Sequence, residues 1–135
     1  MSKKHPVIAV TGSSGAGTTT VKRAFEHIFY RDGFNAAIIE GDSFHRYDRA
    51  EMKIEVAKAT KEHRDLSHFG PDANRFDLLE ELFRSYAETG IGKKRYYIHS
   101  EEEAVEHNAR LGTNLKPGQF TPWEDVPEGT DLLFY

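Results

Sequence analysis

Cysteine is missing from the 135 residues, tryptophan occurs once and methionine twice. The absence of cysteine excludes disulfide bonds, thiolate metal sites and cysteine nucleophiles. It also fits a reducing compartment. No apolar run approaches the length of a membrane span. The short one after the basic start Met1-Ser2-Lys3-Lys4-His5-Pro6 is too brief for a signal peptide. A cytoplasmic protein with no membrane partner is therefore expected. Positive charge is not in excess either: the net charge is −4, and no strong basic field speaks for a nucleic-acid partner. At this length the chain is one domain or part of one.

What is present is a glycine-rich turn in a telling place. Gly12-Ser13-Ser14-Gly15-Ala16-Gly17-Thr18-Thr19 follows the apolar run Val7-Ile8-Ala9-Val10 and precedes a segment with helical periodicity. Strand, glycine-rich turn and helix together are the context of a phosphate-binding P-loop. Glycines let backbone N–H groups turn inward around a polyphosphate, and the helix aims its positive end at the same anion. Thr18 stands where the P-loop lysine belongs, so the cation that reaches the outer phosphates must come from elsewhere. Thr19 holds the position whose hydroxyl meets Mg²⁺. Thr19 and Thr20 also read as N-terminal capping residues, and the two roles are compatible.

The remainder reads as α/β. Residues 6 to 11 form a first strand. Val21, Ala24, Phe25, Ile28 and Phe29 then repeat at helical spacing up to Gly33. Ala36 to Ile39 is a second short apolar run, taken as a parallel strand. Residues 48 to 64 are charge-rich and helix-compatible, with Met52, Val56 and Ala59 on a weak stripe. Asn74 is placed as the N-cap of a helix reaching Glu88, with Phe76, Leu79, Leu82, Phe83 and Tyr86 on its apolar face. Gly90-Ile91-Gly92 breaks that helix. Residues 95 to 99 look like half of a hairpin. The polar stretch 100 to 129 is expected to be irregular apart from a helical turn at Glu101 to His107, with Phe120 and Trp123 as local core. Asp131 to Tyr135 reads as a buried central strand. Because domains rarely end on such a strand, the chain is expected to be the N-terminal part of a single domain.

A second motif begins where the second strand ends: Glu40-Gly41-Asp42-Ser43-Phe44-His45-Arg46-Tyr47-Asp48-Arg49. In open parallel sheets ligands gather outside the carboxyl ends of the strands. A carboxylate there, Asp42, can take a proton from an attacking hydroxyl or orient it. It can equally cap the next helix or bind magnesium. His45, Arg46 and Arg49 beside it suit an anionic substrate. They also suit a solvated patch paired with Asp48 and Glu51.

Gly12 to Thr19 followed by Gly41-Asp42-Ser43-Phe44-His45-Arg46 resembles the phosphoribulokinases, in particular their shorter bacterial type, which group with uridine kinases among the P-loop kinases. In that type the P-loop also lacks its lysine, so Thr18 agrees. His68 to Asn74, Phe76 to Leu79, Tyr97-Ile98-His99 and Asp131 to Tyr135 extend the likeness over essentially the whole chain.

The resemblance implies a P-loop fold with a parallel central sheet, helices on both faces and a polar excursion at residues 93 to 125. It implies ATP and Mg²⁺ as cofactors and ATP-dependent phosphorylation of ribulose 5-phosphate to ribulose 1,5-bisphosphate, a Calvin cycle step. Asp42 matches the catalytic base and, with Thr19, the metal site. His45 and Arg49 match sugar-phosphate contacts, with Arg46 beside them, and His99 matches a histidine near the substrate. Residues 12 to 20 match the nucleotide site. Family members are homo-oligomers, and the bacterial type responds to NADH. Further site residues of the family fall past position 135, so this stretch alone is expected to bind ATP weakly and to turn over negligibly. Two other readings compete: a uridine-kinase-like nucleoside kinase, and a nucleotide-binding regulator without catalysis.

Overall fold

Short apolar runs separated by glycine turns build the framework. The structure, a computed structural model, describes residues 4–12 and 17–135. In chain order the elements are β1 (Val7–Ile8), α1 (Thr18–Asp32), β2 (Ala36–Ile38), a 3-10 turn (Gly41–Phe44), α2 (Arg49–Lys61), α3 (Phe76–Thr89), β3 (Lys93–Lys94), α4 (Glu101–Leu111), β4 (Glu124–Asp125) and β5 (Leu132–Phe134). They form two compact units. One comprises Met1–Glu40, Glu80–Lys93 and Asp125–Tyr135, the other Gly41–Leu79 and Lys94–Glu124.

In the first unit β5 is the middle strand, parallel to β1 on one side and to β2 on the other. Leu133 lies level with Val7 and Ala37, and Phe134 with Ile8 and Ile38. A strand paired on both edges and covered on both faces has to be apolar throughout, and all three residues of β5 are buried. Its entry is pinned by polar contacts: Asn35 N–H donates to the Asp131 carboxylate at 2.7 Å, and Asp131 N–H donates back to the Asn35 carbonyl at 2.7 Å. Helix α1 lays Phe25 and Phe29 on Phe134, with ring centroids 5.4 and 5.3 Å away. Gly33 closes α1 in the left-handed conformation, φ 75°.

The apolar stripe foreseen on α1 is only partly buried: Val21 and Ile28 stay exposed while Phe29 is buried. On α3, Leu82 and Tyr86 are buried as expected, whereas Phe76 is exposed. Tyr86 is fully buried because its hydroxyl has a partner, the Thr130 hydroxyl at 2.8 Å.

The second unit carries most of the departures from expectation. Asn74 does not cap α3. Its amide donates to the carbonyls of His68 and Gly70, both at 2.9 Å. Arg75 and Asp77 form a two-pronged pair at the start of that helix, which holds the Asp77 carboxyl down at about 2. The polar stretch 100 to 129 holds a full eleven-residue helix, α4, capped by Ser100 and ended by left-handed Gly112. The hairpin expected around residues 95 to 99 is irregular. Tyr97 bridges Phe120 in antiparallel fashion, and Ile98 and Gly118 to Gln119 exchange backbone bonds. Phe44 and Ile98 form the centre of this unit, and Trp123 packs on Phe44 at 5.8 Å. No described helix is long and apolar enough to cross a membrane.

Truncating Phe134 removes a fully buried ring that touches Phe25 and Phe29. Phe134→Ala is expected to cost about 3–5 kcal/mol, to be read from the shift in urea midpoint.

Candidate functional site

The turn after β2 decides where Asp42 points. Ser43 and Phe44 are buried, so the 3-10 turn Gly41–Phe44 is anchored by its second half. Asp42 remains half-exposed on the wall of a cavity of about 720 Å³, a size typical of small-molecule sites. Helix α2 supplies one wall with Arg49, Met52, Lys53, Val56 and Ala57. Their spacing is i, i+3, i+4, i+7 and i+8, one face of a helix. The stripe on α2 looks weak in the sequence because its cavity face mixes cations with apolar residues. His45, Asp48, His68, Phe69, Tyr97 and His99 are also among the lining residues.

The Asp42 carboxylate lies between two imidazoles. His99 Nε2 is 2.8 Å from Oδ2, and His45 Nε2 is 3.2 Å from Oδ1. The protons on His45 follow from its other partner. Asn74 turns its NH₂ to two carbonyls, so its oxygen must face His45 Nδ1, 2.8 Å away. Nδ1 therefore donates. Nε2 faces an acceptor too, so both bonds are satisfied only by the doubly protonated ring. The pKa of His45 is accordingly raised, chiefly by the Asp42 hydrogen bond and further by Asn74, against burial and the charge of Arg95, which lower it. Glu103 fixes His99 from behind: its carboxylate accepts from His99 N–H at 2.8 Å and lies 3.5 Å from Nδ1. Tyr97 packs edge-on against both imidazoles, at 6.2 and 5.0 Å.

Of the anticipated substrate residues, His45, Arg49 and His99 come together around Asp42 and its cavity. Arg46 does not: its guanidinium donates to the Pro71 carbonyl at 3.3 Å, and it is absent from the lining. Asp48 and Glu51 are not partners of that arginine. They form a capping box at the start of α2, Glu51 N–H to Asp48 at 2.9 Å and Asp48 N–H to Glu51 at 3.2 Å. Two participants were missed. Lys53 lines the cavity one turn beyond Arg49, and the i, i+4 spacing was its signal. Gly118 (φ 87°) accepts from Arg49 N–H at 2.9 Å, and a Cβ on it would lie 2.8 Å from Arg49 Cβ. Nothing in the sequence around residue 118 announces that approach.

In the glycine-rich segment, Gly12, Gly17, Thr19 and Thr20 are exposed. Gly17 is the left-handed N-cap of α1, φ 83°, and lacks a side chain to cap the helix, while the first turn carries no acidic residue. This end of α1 suits an external anion. Residues 13–16 and the side chain of Thr18 lie outside what the structure describes. Among the described residues no cluster of histidine, aspartate and glutamate has the form of a metal site.

The model of the phosphoribulokinase/uridine kinase family matches residues 7–135. The chromosomal phosphoribulokinase of Cupriavidus necator is 58% identical over the whole chain, which covers 44% of that protein. The phosphoribulokinase of Nitrobacter vulgaris is 52% identical, with 45% of it covered. The solved structure of phosphoribulokinase from Rhodobacter spheroides superposes with a TM-score of 0.81 at 46% identity, over 99% of this chain and 43% of that one. The chain thus spans under half the length of these relatives.

Because the native pKa of His45 is raised above 6.5, its stabilisation is complete below that value and fades as pH climbs through the native pKa. The melting-temperature gap between the protein and His45→Gln is expected to be widest near about pH 6 and to narrow above about pH 7. A gap that widens toward alkaline pH contradicts the doubly protonated ring.

Proposed function

The chain belongs to the phosphoribulokinase/uridine kinase family, and on that footing we propose that it carries the acceptor site of an ATP-dependent kinase that phosphorylates ribulose 5-phosphate to ribulose 1,5-bisphosphate. The fold is that of the P-loop kinases, as the 46% identical phosphoribulokinase structure shows. The observation that carries the functional reading is the Asp42 carboxylate held between His45 and His99 on a cavity that Arg49 and Lys53 also line.

Bound MgATP supplies the phosphoryl group and the metal charge that neutralises it. Backbone N–H groups across residues 12 to 20 would hold its phosphates, and the Thr19 hydroxyl would be a protein ligand of the metal. The remaining steps fall to side chains of the cavity. Asp42 accepts the proton of the sugar hydroxyl at a carboxylate oxygen. A carboxylate offers about four lone-pair sites, and the two imidazoles use one on each oxygen, so room remains for the incoming hydroxyl. The imidazoles also fix the plane of the carboxylate, which is the positional part of the catalysis. Arg49 and Lys53, with His45 beside them, would hold the phosphate already on the substrate, and where they hold it selects which hydroxyl is presented to Asp42. A neutral nucleoside gives such a cation set no task, which weighs against a uridine-type substrate. The protein is proposed to work in the cytoplasm, as a single kinase domain that assembles into homo-oligomers.

In the full-length protein, turnover with ribulose 5-phosphate should exceed that with uridine by orders of magnitude. Asp42→Asn should lose about 10²–10⁴ in kcat while ATP affinity is kept. Faster turnover of uridine, or an indifferent Asp42→Asn, defeats the proposal; the second result is what a non-catalytic nucleotide-binding regulator gives.

Gly118→Ala tests the anion-binding wall separately. The added methyl must displace Arg49 from its place 2.8 Å away, and KM for the sugar phosphate is expected to rise about tenfold with a smaller change in kcat. Steady-state kinetics with both substrates varied measure the split.

A further inference from the structure

Arg95 lies outside the cavity lining, half-buried behind the turn that carries Asp42. Its fork donates to two neutral acceptors on that turn, Nε to the Ser43 carbonyl and Nη2 to the His45 carbonyl, both at 2.7 Å. The two carbonyls are two residues apart and lie within the stretch from Asp42 to His45. The guanidinium also lies over two aromatic rings, 3.6 Å from the centroid of Phe120 and 4.4 Å from that of Trp123. Those rings are themselves fixed within the same unit: Trp123 packs on buried Phe44 at 5.8 Å, and Phe120 on Tyr97 at 5.4 Å. Burial lowers the Arg95 pKa to about 10, so the group stays cationic at neutral pH.

A planar, multi-donor cation stacked on rings is a role that lysine does not fill. Only a fork reaches both carbonyls at once. From this geometry we infer that Arg95 is a positioning residue for the reaction proposed above, setting the spacing of Asp42 and His45 by tying their turn to the Phe120–Trp123 platform. It touches neither substrate nor the reacting atoms. Without the tie, the His45 carbonyl is released and the 3.2 Å contact between His45 and Asp42 loses its backbone support. The inference deepens the reading of Asp42 as the base and rests on it.

The test uses full-length Arg95→Lys, with steady-state kinetics and the backbone amide NMR signals of Phe44 and Arg46, the residues that follow the two tied carbonyls. Arg95→Lys keeps the charge but cannot hold both carbonyls. Those two amide signals should move, and kcat should fall by about 10²-fold, the cost of misplacing a reacting group by about 1 Å, while KM for ATP holds. An Arg95→Lys protein that melts earlier yet keeps both amide signals and its kcat overturns the inference. Should Arg95→Lys fail to fold, Phe120→Leu, which loosens the platform, carries the same test. The amide signals are read without substrate. Failure of the kinase reading therefore removes the kinetic arm only, and unmoved signals refute the positioning role by themselves.

Discussion

The proposed acceptor site rests on one line of polar contacts: Asn74 bonds the His45 ring, Asp42 lies between His45 and His99, and the His99 backbone N–H donates to Glu103. Its direction is set at one end by chemistry that allows no alternative. The Asn74 amide is held by two carbonyls, and carbonyls only accept. That orients its oxygen, which accepts from Nδ1–H of His45, and the carboxylate beyond accepts from Nε2–H. Each member takes its state from its neighbour, so the pattern is cooperative in the sense of a polar network that specifies geometry more than stability. Most of the second unit can be read as the means of bringing these five residues into register.

Those means are ordinary. Helix α2 starts at a capping box and so presents Arg49 and Lys53 one turn apart. Helix α4 starts at Ser100. Its third residue, Glu103, reaches back past the cap to the His99 N–H, so the helix start and the histidine are placed by one carboxylate. Gly118 brings the strand-like segment 118 to 121 close to Arg49, where any other residue would collide. Arg95 fastens the turn from behind. Four separate stretches of chain thus converge on Asp42, and each is held by a local device that acts on the backbone.

How much of this the sequence discloses depends on whether the device is local. The framework of the first unit is legible: α1 with its closing Gly33, parallel β2, and β5 as a strand buried on both faces all follow from periodicity and glycine placement. Asp42, His45, Arg49 and His99 are legible as candidates through motif resemblance. Asn74 is misread because its side chain offers the same acceptor to a helix N–H as to an imidazole, and only the tertiary partner 29 residues away decides between them. Helix α4 is cut short because its faces are nearly all polar, with Ala104 buried and Val105 exposed. Its caps, Ser100 and Gly112, were the better signal. Arg46 is misjudged because adjacency in sequence does not put a side chain on the same face as its neighbour. Phe120 and Trp123 are seen as core, but their cation is not, since Arg95 is some 25 positions away in the chain.

The charge of the cavity carries the argument one step further. The chain as a whole is negative, so its long-range field does not draw in an anion, and fields between exposed charges fade beyond about 8–10 Å at physiological salt. On the proposed reading, recognition of a phosphorylated substrate has to be assembled at short range, and the lining is suited to that. Its two carboxylates are each committed, Asp42 to the imidazoles and Asp48 to the α2 cap. Doubly protonated His45, Arg49 and Lys53 then outnumber them, and the first turn of α2 adds the positive end of its dipole on the same wall. On the proposed reading, a base and an anion site share one pocket because the base already has partners: His45 and His99 hold the Asp42 carboxylate, which ties the choice of substrate to the same polar contacts that orient it.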